Sequence, residues 1–213
     1  MRLSVCQLLV LILGLSGTLQ AEELKPILLP PPHTEGGKPL LQALKERHTT
    51  REFKPSPLPA QVLADLLWAG FGINRPGSER RTAPSAMNSQ EVDLYVALPQ
   101  GFYLYDAKAN QLKPVLSGDW RTRIGSQPFL KDASAVLLLV ADLPRLAKAK
   151  PETRPFYAAI DAGCIVQNLY LFCASQELAA VVYDLDRAAV AATLKLKPGQ
   201  QIMMAQAVGY PGT

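Results

Sequence analysis

Two short segments of this 213-residue chain carry side chains that could hold a ligand. The first reads Arg47-His48-Thr49-Thr50-Arg51-Glu52-Phe53 and lies between a helix-forming stretch and a break made by Pro55, Pro57 and Pro59. Such a position favours extended chain, in which side chains alternate, so Arg47, Thr49 and Arg51 share one side as two guanidinium groups flanking a hydroxyl. That row suits a phosphate or another electron-rich group. Taken alone it is equally the pattern of a solvated charged loop, which is the commoner case.

The second segment, Ala83-Pro84-Ser85-Ala86-Met87-Asn88-Ser89-Gln90, is rich in turn formers and runs into a strand that begins at Val92. Its small residues let a ligand approach the backbone, and the amides of Asn88 and Gln90 both donate and accept, as the polar edge of a heterocycle requires. A plain turn is the competing reading.

Other chemistries find less support. The chain has no GxSxG, CxxC, HExxH or GxxxxGK[ST] pattern, and its two histidines, His33 and His48, cannot build a histidine-rich metal site. Asp161 and Glu177, on or beside a long apolar helix, could act as paired acids, but helix-end capping or surface exposure explains them as well. A hydrolase built on Cys164 and His48 has nothing in the spacing to favour it, and a buried, unreactive thiol is expected.

The elements that must position these segments follow from periodicity. Residues 40–47 and 62–70 read as short helices, and residues 156–176 as a long core helix, apolar on most sides. Residues 92–98 alternate as a half-buried strand, and residues 102–105 and 112–116 flank DAKAN as a hairpin. The continuous apolar run 135–140 is a central buried strand. Residues 179–182 and 201–208 are further strands around a helix at 186–194 capped near Asp184 or Asp186. The mixture predicts an α+β fold.

With 48% hydrophobic and 19% charged residues, the composition suits one globular domain with a substantial core. The net charge of +4 is spread along the chain without a basic run, so nucleic acid is not an expected partner. Residues 1–21 have the form of a secretory signal peptide: Arg2, an apolar stretch over residues 8–15 too short to span a bilayer, and a cleavage site expected after Ala21. The protein is therefore expected to be exported, in the periplasm, with no membrane span after cleavage. Cleavage also removes Cys6. Cys164 and Cys173, nine residues apart on one helix, lie about 13 Å apart along its axis and on opposite faces, too far to bridge. Residues 22–38 are proline-rich and read as a linker or strap, with the domain proper at 39–213.

Taken together and in order, the two segments resemble the nitroreductase-like FMN family, in particular its branch related to the azoline and thiazoline oxidases. RHTTREF is similar to that family's R-x-[ST]-x-[RK]-x-[FY], and PSAMNSQ to its P-S-x-x-N-x-Q. LLWAGFGINRPGSERRTAPSA, GFYLYDAKANQL, AAIDAGCIVQNLYLFCASQELA and the closing VGYP extend the resemblance over about residues 38–211. It implies a mixed or antiparallel sheet flanked by helices, with a long central helix, and a homodimer with FMN at the subunit interface. Arg47, Thr49 and Arg51 would hold the flavin from one subunit, while Pro84, Ser85, Asn88 and Gln90 would reach it from the other.

Two departures follow from the same comparison. Where relatives have a Gly-rich turn facing the flavin, this chain has Val181-Val182-Tyr183-Asp184, so Val182 and Tyr183 are expected beside the ring, with the bulk of Tyr183 covering it or blocking substrate. Relatives commonly continue past the final GYP with basic residues that grip the phosphate. Here phosphate affinity is expected to come from Arg47, to come from another cation such as Arg121 or Arg123, or to be weaker. The expected function is an FMN-dependent oxidoreductase passing hydride to or from a small organic substrate. The alternative is a flavin-independent binding or assembly module on the same fold.

Overall fold

A computed structural model of the chain describes residues 24–212, so the signal-peptide reading of residues 1–21 lies outside the described residues. In chain order the elements are β1 (Ile27–Leu28), α1 (Leu40–Glu46), β2 (Phe53–Lys54), α2 (Ala60–Phe71), β3 (Ile73–Arg75), β4 (Arg80–Arg81), β5 (Val92–Leu98) and β6 (Gly101–Asp106). Then come β7 (Gln111–Ser117), β8 (Ala135–Asp142), α3 (Arg154–Ser175), β9 (Ala179–Tyr183), α4 (Arg187–Leu194) and β10 (Gln200–Pro211). The main sheet runs β1-β7-β6-β5-β8-β10-β2, with β9 also paired to β10, and every one of these pairings is antiparallel. The fold is α+β, an antiparallel sheet flanked by helices.

β8 explains the two-sided core. Its run Ala135 to Ala141 is completely buried, and alternation sends Leu137 and Leu139 to one face of the sheet and Leu138 and Val140 to the other. On the first face they meet Leu66 and Leu67 of α2 and Ile165 and Leu169 of α3. On the second they meet Trp120, Ile124, Leu130 and Val190 of α4. The helices α2 and α3 approach closely because residue 70 is glycine: a Cβ there would lie 2.6 Å from the Leu169 side chain.

α3 is long and apolar enough to cross a membrane, but Ala158, Ala162, Ile165, Val166, Leu169 and Cys173 on it are buried within this fold. Its mixed faces reflect a helix covered by the sheet on one side and by α1 and α2 on others. Local signals fix the ends of other elements. Asp186 caps α4 by accepting from the Ala189 N–H at 3.0 Å. The Asp106 carboxylate accepts from the Lys108 and Ala109 N–H groups, both at 3.0 Å, closing the β6–β7 hairpin.

The proline-rich residues 24–38 lie against their own domain. Ile27 pairs with Leu112, Leu29 is buried, and the Asn110 side-chain amide donates to the Leu29 and Pro30 carbonyls. His33 binds Asp65 of α2 through both its backbone N–H, at 2.7 Å, and its ring. The Lys38 N–H donates to Ser175 Oγ at 2.8 Å, tying the segment to the end of α3. The short strands β1 to β4 carry no periodic signal, because two or three residues are too few to show one.

Candidate functional site

Residues 47–51 run extended along β9, anchored by the Thr50 N–H donating to the Ala180 carbonyl at 3.0 Å. This places Arg47 and Thr49 against Tyr170 of α3. The Arg47 guanidinium stands 5.4 Å from the centre of the Tyr170 ring, and Thr49 Oγ1 lies 3.4 Å from its hydroxyl. The same hydroxyl accepts the Val182 N–H at 2.7 Å. Tyr170 therefore joins three of the expected site residues, Arg47, Thr49 and Val182, while Arg51 is exposed at the end of the row. Beside them a cleft of about 460 Å³ is lined by His48, Thr50, Tyr170, Ala180 and Pro211. The sequence reading did not single out Tyr170. Its signal, a phenol in an apolar helix where the hydroxyl needs partners, is common in cores.

Tyr183 corrects an expectation. Alternation along β9 turns Val182 toward α3 and Tyr183 through the sheet, into the second core. There its ring meets Phe129 edge-on at 5.9 Å and packs on Gly125. The side chain is buried on the face away from Arg47 and Tyr170, so it neither covers nor blocks a ligand held there. Burial pushes its hydroxyl well above the ordinary tyrosine range, and the oxygen has no partner among the described residues. Arg121 is also spoken for. It forks onto the Asp119 carboxylate and donates to the Ala133 carbonyl, while Arg123 stacks on Trp120 at 5.0 Å.

The second segment forms a compact loop of its own. Ser85 Oγ accepts from the Gln90 N–H at 2.7 Å and donates to Glu91 Oε2 at 3.1 Å. Met87, Asn88 and Gln90 all have left-handed backbone, at φ of 55°, 53° and 47°, a conformation that residues with side chains adopt only when their surroundings impose it. Two contacts do so. The Ala86 N–H donates to Asp161 Oδ2 of α3 at 2.6 Å, and Arg81 Nε donates to Gln90 Oε1 at 2.8 Å. Pro84 and Asn88 are exposed on a cleft of about 580 Å³, which Arg75, Arg80 and Arg81 also line. Among the described residues none of these three arginines forms an ion pair. Burial lowers the Arg81 pKa from its ordinary value, so its charge is poorly hydrated.

The two acids singled out in sequence part company. Glu177 is exposed and pairs with Lys38 at 3.1 Å, whereas Asp161 is buried and neither caps a helix nor faces solvent. Among the described residues Cys164 and Cys173 are free, and burial pushes the Cys173 thiol up. The His48 ring bonds the Glu46 carbonyl at 2.7 Å. Among the described residues no three His, Cys, Asp or Glu side chains come together as metal ligands.

Both segments are anchored on α3, one at Asp161 and one at Tyr170. Nine residues separate them, about 13 Å at 1.5 Å per residue. Before them α3 leaves apolar side chains in the open: Phe156 is 65% exposed and Ile160 47%. Met87 of the loop and Leu40, Leu41 and Leu44 of α1 are exposed as well.

An α+β domain with an antiparallel sheet, a long central helix and these two segments defines a class that the comparisons name. The sequence pattern of the Nitroreductase family matches residues 44–210, and the chain belongs to that family. A nitroreductase-family protein from Ralstonia eutropha JMP134 is 38% identical, superposes with a TM-score of 0.83, and is matched over 88% of this chain and 90% of its own. A structure from Desulfovibrio desulfuricans, crystallised in complex with FMN, shares the fold at 22% identity and a TM-score of 0.59, over 84% and 89% of the two chains. So does a chain of the E. coli microcin synthetase complex bound to a truncated pro-peptide, at 17% identity and a TM-score of 0.69, over 97% and 85%.

Proposed function

We propose that this chain is an exported, FMN-dependent oxidoreductase that works as a homodimer and passes hydride to or from a small organic substrate. The observation that carries the reading is the gathering of Arg47, Thr49 and Val182 on Tyr170, with the Ser85–Gln90 loop fixed to the same helix about 13 Å away. One chain holds two incomplete half-sites. A second copy, docked through the exposed apolar face of α3, would bring one half to the other.

The residues fit a flavin mononucleotide. Arg47 and Arg51 supply cations for its phosphate, Thr49 a hydroxyl, and Asn88 an exposed side-chain amide for the polar edge of the ring. Arg47 reaches that position already ordered by Tyr170. When bound, FMN supplies the hydride chemistry. The chain's own residues bind and orient it, and the buried sheet beneath Val182 keeps water from that side. The arginine-lined cleft beside Asn88 favours substrates carrying a carboxylate or phosphate. Export rests on the form of residues 1–21.

The test is the visible spectrum of protein purified from its native compartment. Bands of oxidised flavin, lost in Arg47→Ala, are the expected result. Colourless protein that takes up no added FMN would overturn the reading in favour of a flavin-independent module.

A further inference from the structure

Beneath the Ser85–Gln90 loop lies a pair of buried acids that the flavin reading does not use. Glu91 is completely buried and Asp161 is 5% exposed. Each holds the loop by a direct bond, Glu91 to the Ser85 hydroxyl and Asp161 to the Ala86 N–H. The second oxygen of Glu91 has no partner among the described residues. Two ionised carboxylates in such a place would repel each other with no paired cation to compensate them.

The nearby cations are committed elsewhere. Arg145, in the turn after β8, binds both oxygens of Asp93 and also Asp142, and it donates to the Gln90 carbonyl at 3.3 Å. Arg154, at the start of α3, donates to the Ala149 carbonyl. Arg81 is held by Gln90 and the Phe71 carbonyl. Among the described residues no Lys, Arg or His forms an ion pair with Glu91 or Asp161. Burial first, and Asp161 beside it second, push the Glu91 carboxyl up from its ordinary 4.5 to about 7, a value at which it keeps its proton in mildly acidic surroundings.

We propose that Glu91 keeps a proton that it donates to Asp161, and that this bridging proton positions the Ser85–Gln90 loop for flavin, making FMN affinity proton-linked. With the proton present, the otherwise unpartnered Glu91 oxygen donates to Asp161, both acids stay bonded to the loop, and the left-handed residues Met87, Asn88 and Gln90 remain in place. With the proton gone, repulsion between the carboxylates loosens the contacts to Ser85 and Ala86 that hold that backbone. Glu91 and Asp161 are positioning residues, since neither needs to touch the flavin. The inference rests on the reading of this loop as a flavin contact, and its test is built to separate the two.

The experiment measures the FMN dissociation constant between pH 5.5 and 8.5 for the wild-type chain, Glu91→Gln and Asp161→Asn. In the wild type it should be flat at low pH and rise above about pH 7 by up to tenfold per pH unit, the limit for one linked proton. Both variants place a neutral amide where the proton sat and should give flat profiles, apart from the titration of the FMN phosphate itself, which all three proteins share. Identical profiles in wild type and both variants would overturn the proposal. Hydrogen exchange of the Ser85–Gln90 amides, corrected for its intrinsic pH dependence, reads the loop without flavin. Protection lost above pH 7 in the wild type and kept in Glu91→Gln supports the bridging proton even in a protein that binds no FMN. Equal protection in both overturns it.

Discussion

Arg47 and Tyr170 meet as cation and ring, with the guanidinium carbon 5.4 Å from the ring centre, and this contact links the extended segment at 47–51 to the central helix. It presents Arg47 with its side chain already ordered, so in the proposed site part of the entropy cost of holding a phosphate is met before the ligand arrives. Tyr170→Ala should therefore weaken FMN binding roughly tenfold without removing any cation, about 1.4 kcal/mol. Tyr170→Phe keeps the ring but leaves the Val182 N–H unpaired. It should cost about 1–2 kcal/mol of stability in urea titration while changing FMN affinity less than Tyr170→Ala does.

Charge-assisted bonds to a phosphate are worth about 1.5–3 kcal/mol each. Arg47→Ala and Arg51→Ala should each raise the FMN dissociation constant by about 10- to 100-fold, measured by flavin fluorescence quenching. Arg121→Ala serves as the contrast. Its guanidinium is engaged by Asp119 and the Ala133 carbonyl, so its removal should lower stability and leave FMN affinity as it was.

Much of this architecture is legible in the sequence, for reasons that particular residues show. β5 and β8 announce themselves through alternation and a continuous apolar run, and Asp186 marks the start of α4 with a side chain that does cap it. The extended run at 47–51 followed from the helix before it and the prolines after it. What stayed hidden depends on partners far away in the chain. The direction of Tyr183 is set by its register against Ala205, and the pairing of Asp161 with Glu91 joins residues seventy positions apart. The segment at 24–38 shows the same limit: its composition leaves linker and strap both open, while its bonds to Asn110, Asp65 and Ser175 come from tertiary contact.

The placement of Tyr183 has a consequence that sets it apart from a ligand-facing residue. Its buried hydroxyl has no partner among the described residues, so Tyr183→Phe should be neutral or stabilising by up to about 1 kcal/mol, with unchanged FMN affinity. Tyr183→Ala empties a place between Phe129 and Gly125 and should cost about 3–5 kcal/mol in thermal or urea unfolding. A gain in flavin affinity or turnover in Tyr183→Ala would show instead that the ring reaches the active face.

The raised carboxyl of Glu91 also makes folding depend on pH. An acid whose folded pKa lies above its unfolded value contributes its full stability below the unfolded pKa of 4.5 and loses it as pH rises through about 7. The wild type should thus lose stability between those limits, by on the order of 3 kcal/mol at most. Glu91→Gln, which has no proton to lose, should unfold with a midpoint that changes less over the same range. Chemical denaturation at pH 5 and pH 8 measures both.

The dimer proposed through the exposed apolar face of α3 makes flavin binding depend on association. Phe156 and Ile160 lie four residues apart, hence on one side of the helix, and Met87 of the Ser85–Gln90 loop is exposed as well. Such a face costs free energy in water and gains it back when a second copy covers it. Ile160→Glu leaves the buried residues of α3 untouched, so the monomer should fold, but burying a carboxylate at a self-complementary contact imposes its penalty twice, once from each subunit. The expected result is a monomer by analytical ultracentrifugation that no longer retains FMN, because the Ser85–Gln90 half-site of one chain never meets the Arg47 half-site of the other. A monomeric Ile160→Glu protein that holds FMN as tightly as the wild type would place the whole flavin site within a single chain.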